Sequence, residues 1–252
     1  LIEQTFDVGN TPRLVVAIGS GSIELAAGPV GTIELSVEGG RDLEISHNGD
    51  TVEVRRPSEA RLSRSNSTRV RAHVPPGTTA WLTGASARIE ATVALGDAVI
   101  ETASGDVALR EVENAKAKSA SGDLVIKSIS GAASLRTASG HVRIGEVLDR
   151  MEVTTASGSV DVGMVGGDVV SSAASGDLAI RRYEGSDLEL KSVSGDIRVG
   201  LPAGTRLSLD ARSLSGSITL PDRQPGAPSS ERQSVRARIR TVSGDIQIQR
   251  VQ

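Results

Sequence analysis

Residues 103–130 read ASGDVALREVENAKAKSASGDLVIKSIS, and in them a Ser-Gly-Asp step opens an alternating apolar run twice. The step returns along the chain at Ser104-Gly105, Ser121-Gly122, Ser139-Gly140, Ser157-Gly158, Ser175-Gly176 and Ser194-Gly195, at spacings of 17, 18, 18, 18 and 19 residues. A fixed short period means that each copy is one supersecondary unit buried only by its neighbours, which overrides any domain count taken from the length of 252 residues.

Aligned on the glycine, the copies separate into columns. The second residue after it is apolar throughout (Val107, Leu124, Val142, Val160, Leu178, Ile197, then Ile218 and Ile246), and so is the fourth (Leu109, Ile126, Ile144, Val162, Ile180, Val199, Leu220, Ile248). The residue between varies: Ala108, Val125, Arg143, Asp161, Ala179, Arg198. One constrained and one free face at period two is a half-buried strand. A further apolar column, Val112, Ile129, Val147, Val165 and Tyr183, precedes Asn114, Gly131, Asp149, Gly167 and Gly185, types that tolerate a left-handed backbone and so predict a corner. A second strand follows, with inward Ala115, Ala133, Met151, Val169 and Leu188, and it runs back to Ser-Gly, the other corner.

The expected fold is therefore all-β, a β-solenoid of ~18-residue coils with two strands and two corners per coil. A propeller blade needs a period of about 40–50 residues, so that arrangement is excluded. Coils stacked at ~4.8 Å put about ten of them into a rod on the order of 50 Å long. Only Phe6, Trp81 and Tyr183 are aromatic, which suits a thin core of small aliphatics. Residues 1–68 read as an N-terminal β-cap of short alternating runs, ending in a polar loop over 57–68, and residues 69–252 as the repeats. Within the repeats a loop at about 221–233 carries three prolines. Val70 to Leu82, with Pro75-Pro76-Gly77-Thr78, echoes Ile197 to Leu209, with Pro202-Ala203-Gly204-Thr205. The irregular N-terminal strands and the final coil, 234–249, are the expected caps on the open ends.

A repeated serine invites a nucleophile reading, but a nucleophilic serine needs a base held beside it. The histidines are His47, His73 and His141, and none has a triad-like setting. The corner residues are read as structural, and no catalytic residue is assigned. The Asp after Ser-Gly is interrupted by His141, Ser159 and Ser217 and lacks the nonapeptide calcium pattern, so no metal or cofactor is expected, and local Asx-type turn bonding is the simpler role. Arg110, Lys127, Arg143, Arg181 and Arg198 make a loose basic stripe, but 28 basic against 31 acidic residues and the scarcity of aromatics give no nucleic-acid footprint. There is no cysteine. No apolar run approaches the roughly 18 residues of a membrane helix and no signal peptide is present, which leaves cytoplasmic and cell-surface locations both open and predicts no membrane insertion by this chain.

The Ser-Gly-Asp coils, Thr5-Phe6-Asp7, the Leu201-Pro202-x-Gly204 step and the closing Arg240-Thr241-Val242-Ser243-Gly244-Asp245-Ile246 together resemble the bacterial putative-adhesin family of β-strand-repeat proteins, DUF4097. That resemblance implies a β-solenoid and a non-enzymatic role, with no functional residues to carry over. The expected function is a scaffold that engages a protein or glycan by its sheet faces, or self-associates. A carbohydrate-active enzyme on a β-helix is the alternative, and nucleic-acid binding through the stripe a weaker one.

Overall fold

In this computed structural model residues 1–39, 43–56, 67–221 and 234–251 are described. The loops expected over 57–68 and 221–233 fall outside them except at their flanks. Every regular element among the described residues is a strand. Contacts divide the chain into two compact units, Leu1–Lys127 and Ser128–Gln252.

The first unit contains β1 (Ile2–Asp7), β2 (Arg13–Ala27), β3 (Thr32–Glu38), β4 (Glu44–Asn48), β5 (Thr51–Arg55), β6 (Thr68–Val74), β7 (Thr79–Thr102), β8 (Val107–Ser119) and the start of β9 (Leu124–Ile129). Its coils are parallel: Ile89 lies on Val107, Ala91 on Leu109 and Ile100 on Ala117, all buried. Antiparallel strands close one end, with β1 on β3, β3 on β6, and β4 on β5. Asp50, after β4, ties this end down by accepting the Gly9 N–H at 2.7 Å and the Thr11 N–H and hydroxyl at 3.1 and 2.8 Å. The Gly9 bond foremost, then those of Thr11, holds its carboxyl below the usual carboxylate range.

The second unit contains β10 (Ala133–Thr137), β11 (Val142–Val147), β12 (Met151–Thr155), β13 (Val160–Val165), β14 (Val169–Ser175), β15 (Leu178–Tyr183), β16 (Asp187–Ser194), β17 (Ile197–Pro202), β18 (Arg206–Ser215), β19 (Ile218–Thr219), β20 (Ser234–Ser243) and β21 (Ile246–Val251). The columns of the sequence are the columns of the core. Val142, Val160, Leu178, Ile197 and Ile246 stack in register, none more than 3% exposed. Full burial of such a side chain is worth about 1.5–3 kcal/mol. Tyr183 lies fully buried in its inward column on Val165, and its hydroxyl has no hydrogen-bond partner among the described residues. Burial, then the charges of Asp168 and Asp187, pushes that phenol well above its ordinary pKa.

The coils do not stack in chain order. On one side the ladder runs β10, β12, β14, β16, β20, β18, and on the other β11, β13, β15, β17, β21, β19. The last coil of the sequence is thus interior, between 187–202 and 206–219, and the coil at 206–219 forms the edge. The first unit does the same in mirror sense: β6 leads into β7, yet β2 lies between them and pairs in parallel with both. Both skipped rungs follow the same turn. Thr78 Oγ1 donates to Pro75 O at 2.6 Å and Thr205 Oγ1 to Pro202 O at 2.9 Å, with Gly77 at φ 83° and Gly204 at φ 84°. A positive φ at the third position is a type II turn. Each such turn advances the chain two rungs and leaves one open for a distant segment.

Outward arginines of β20 meet carboxylates on both neighbours. Arg236 pairs with Asp187 of β16 at 3.0 Å, Arg238 with Glu189 of β16 at 3.6 Å, and Arg240 with Asp210 of β18 at 4.0 Å. Exposed pairs add little stability each, and Arg240 also lies directly opposite Lys191 and Arg212, so the rung is fixed by the parallel pairing of β20 with β16 and β18. The final coil is therefore no cap, contrary to expectation; β18 and β19 are.

The corner glycines are required by proximity more than by dihedral angle. A Cβ on Gly105 would stand 1.8 Å from Ala87 O, on Gly122 2.0 Å from Gly105 O, and on Gly158 1.9 Å from Gly140 O, although none of these glycines has a positive φ. In the second unit, from Gly176 and Gly195 onward, at φ 141° and 142°, the backbone also enters the region that favours glycine. At the opposite corner the left-handed expectation fails likewise: Gly167 and Gly185 lack positive φ, and a Cβ on Gly185 would meet Gly167 O at 2.0 Å. Gly158→Ala should thus lower the melting temperature far more than Gly204→Ala. The latter has open space around it and pays only the left-handed strain of about 1–2 kcal/mol. Equal shifts in thermal melts of the two variants would contradict the close-stacking explanation.

Candidate functional site

At the first corners an inward hydroxyl three residues before the glycine accepts the glycine N–H: Thr102 from Gly105 at 2.9 Å, Ser119 from Gly122 at 2.9 Å, Thr137 from Gly140 at 3.0 Å and Thr155 from Gly158 at 2.9 Å. At the later corners the glycine N–H reaches the next coil instead, Gly176 to Ser194 O and Gly195 to Ser243 O, both at 3.0 Å. Ser104 Oγ donates to Ser86 Oγ at 3.1 Å and Ser121 Oγ to Ala103 O at 3.2 Å, so these hydroxyls also bond between coils. Ser139, Ser157, Ser175 and Ser194 occupy the equivalent corner positions and are exposed.

The Asp after Ser-Gly is not a local Asx turn. Asp106 Oδ1 accepts the N–H of Asp123 at 3.1 Å, Asp177 that of Asp196 at 2.9 Å, Asp196 that of Asp245 at 3.0 Å, and Asp245 that of Ser217 at 2.8 Å. The carboxylates join the backbone carbonyls in carrying the inter-coil ladder around the corner, as where Asp196 O accepts the Leu178 N–H at 2.9 Å. For Asp245 the Ser217 N–H is the leading reason its carboxyl lies below the ordinary range.

The basic stripe is neutralised at most of its members. Arg110 pairs with Glu111 at 3.3 Å, Arg181 with Asp161 in a fork at 2.8 and 3.2 Å, and Arg198 with Asp196 at 2.9 Å. Arg143 and Arg181 stand in different columns: Arg143 registers with Asp161 and Ala179. Lys127 and Arg143 are exposed.

A more concentrated feature lies on the outer face of the second unit. Arg150, Asp168, Asp187, Glu189, Arg236 and Arg238, with Val170 between them, line an open groove of about 260 Å³. Val169 registers with Leu188 and Asp187 with Arg236, so Asp168, Asp187 and Arg236 form one file across successive rungs. Asp168 accepts the Asp187 N–H at 3.1 Å, and Asp187 takes Arg236. Ligand pockets for drug-sized molecules occupy about 300–1,000 Å³. This groove suits a single side chain or sugar ring within a wider contact.

The model of one family, described as Toastrack DUF4097, matches residues 11–249. The chain belongs to the Toastrack DUF4097 family. Among solved structures, a putative adhesin of Parabacteroides merdae is 13% identical with a TM-score of 0.56, covering 100% of this Toastrack chain and 96% of its own, and shows that the fold is shared. A putative lipid-binding protein of Parabacteroides distasonis is 14% identical at a TM-score of 0.47, over 99% and 97% of the two chains. A putative adhesin of Bacteroides fragilis is 11% identical at 0.42, over 99% and 96%. No curated protein matches.

The groove of this Toastrack chain escaped the sequence reading because β20 supplies two of its residues, and its rung lies out of chain order. The outward alternation Arg236-x-Arg238-x-Arg240, opposite in charge to Asp187-x-Glu189, is the signal that marks it.

Proposed function

We propose that this Toastrack protein is a non-enzymatic binding scaffold that engages a protein or glycan partner through the outer face of its second unit, centred on the groove around Asp187 and Arg236. The observation that carries this reading is the groove itself: cations and carboxylates alternate within it, offering donors and acceptors to a polar partner on a rigid sheet. The Ser-Gly corners, from Ser104 to Gly195, serve the stacking.

The enzymatic alternative needs two carboxyl groups flanking a glycosidic bond from opposite sides. Asp168 and Asp187 stand instead in one file on one sheet, each already engaged by a donor of the chain. Nucleic-acid binding through the stripe is opposed by its acidic partners.

The test is binding to an array of glycans and purified surface proteins, by the intact chain and by Asp187→Arg. Retention of a ligand by the intact chain, weakened about tenfold or more by the charge reversal, is the expected result. Cleavage of a polysaccharide that Asp168→Asn abolishes would refute the scaffold reading, as would a protein–DNA complex at low salt that Arg143→Glu removes.

A further inference from the structure

Among the described residues, the coil at 206–219 ends the second unit with an unpaired edge. β18 is ten residues long and among them pairs with β20 on one side only. Its inward residues Leu207, Leu209 and Ala211 are half-buried where their counterparts in β20, Val235, Ala237 and Ile239, are at most 2% exposed. Beside them Leu214 is 84%, Leu220 52% and Ile218 41% exposed. A long edge with an apolar inner side is a template for another strand.

The outward residues of β18 decide which strand. They read Arg206, Ser208, Asp210, Arg212 and Leu214. A second copy of β18 that continues the sheet antiparallel, with both inner faces on the same side, must pair residues whose numbers sum to an even value. Registers overlapping by seven or more strand residues are then few. Centred on 209, Arg206 opposes Arg212. Centred on 210, Asp210 opposes itself, and centred on 212, Arg212 opposes itself. Centred on Ala211, Asp210 faces Arg212 of the other copy twice over, Leu209 faces Ser213, Leu207 faces Ser215, and the exposed Leu214 lies against Ser208. Like charges directly opposite destabilise a strand pair and unlike charges favour it.

We propose that the protein forms a two-fold symmetric dimer through antiparallel pairing of β18 with β18 of a second copy, centred on Ala211. Such an isologous contact closes on itself and covers both open edges at once. A head-to-tail contact would instead pair β18 with a different strand of the second copy, which leaves one β18 edge open at every step. The dimer needs no ligand, so it stands or falls apart from the groove.

The test is sedimentation of the full chain over 1–200 µM, which reads as a rise from the 26.0 kDa chain mass to twice that value. Asp210→Arg and Arg212→Asp should each weaken dimerisation by at least about tenfold, and the double exchange should restore it. The chain has no cysteine, so Ala211→Cys should form a disulfide-linked dimer on mild oxidation. Ser208→Cys should not, its two copies being about 20 Å apart in this register. A monomer throughout, an open-ended series of larger species, or a dimer indifferent to the charge reversals would each overturn the proposal.

Discussion

A chain ending at residue 221 is expected to lose most of the stability of its second unit, not the small increment that fraying of a terminal coil would cost. Residues 234–251 bring Val235, Ile239, Ile246 and Ile248 into the core, each at most 2% exposed. At about 1.5–3 kcal/mol apiece these amount to roughly 6–12 kcal/mol as an upper figure, comparable with the total stability of a domain. The loss spreads further, because β18 pairs with β20 and β19 with β21. Without them β18 and β19 have no ladder, and the two-rung step at Pro202–Thr205 holds them away from β16 and β17. Thermal unfolding and hydrogen exchange of the truncated chain should show a melting temperature lowered by well over 10 °C and no protection at 206–219. Protection there, with a near-native melt, would mean that the coils stack in chain order.

Val142→Asp and Ile144→Asp should each cost upwards of about 4 kcal/mol, while Arg143→Asp should change stability by less than about 0.5 kcal/mol. Val142 is 0% and Ile144 3% exposed, stacked in register on Val160 and Val162. An aspartate at either site would bury its charge among aliphatic side chains. Arg143 lies between them on the outer face, opposite Asp161. Its reversal sets two carboxylates side by side in water, a repulsion that solvent screens. Urea denaturation of the three variants reads the contrast directly, and comparable midpoints would refute the inward and outward assignment of the coil.

The columns that make the core were legible because each coil repeats the same demand, an apolar residue at two positions after the corner and a small one where coils come within contact. Val107 predicts Val142, and Val142 predicts Ile246, without any knowledge of which coil neighbours which. That same uniformity hid the order. Ile246 fits above Ile197 as well as Ile218 does, so periodicity alone favours the shorter connection, and only features outside the repeat carry the true order. Those are the paired Pro75–Thr78 and Pro202–Thr205 turns, each visible as an echo in the sequence, and Arg236 and Arg238 of β20, which lie opposite Asp187 and Glu189. Interleaving also explains why the groove was not seen: Asp187 and Arg236 are distant in sequence and meet only across the inserted rung. The corner residues read as structural from the sequence, but what the Asp beside them bonds was not legible. An Asp after Ser-Gly reads as a turn residue from its own strand, whereas Asp177 and Asp196 bond the strands above.

The interleaved order is tested most directly by two pairs of engineered cysteines in a chain that has none. Lys191 registers with Arg240, and Arg240 with Arg212, so Lys191 and Arg240 stand one rung apart and Lys191 and Arg212 two. One rung is about 4.8 Å, within disulfide reach, and two are beyond it. Oxidation should therefore close a disulfide in Lys191→Cys/Arg240→Cys and leave Lys191→Cys/Arg212→Cys with two free thiols. A disulfide in the second variant and none in the first would show coils stacked in the order of the chain and would contradict the fold described above.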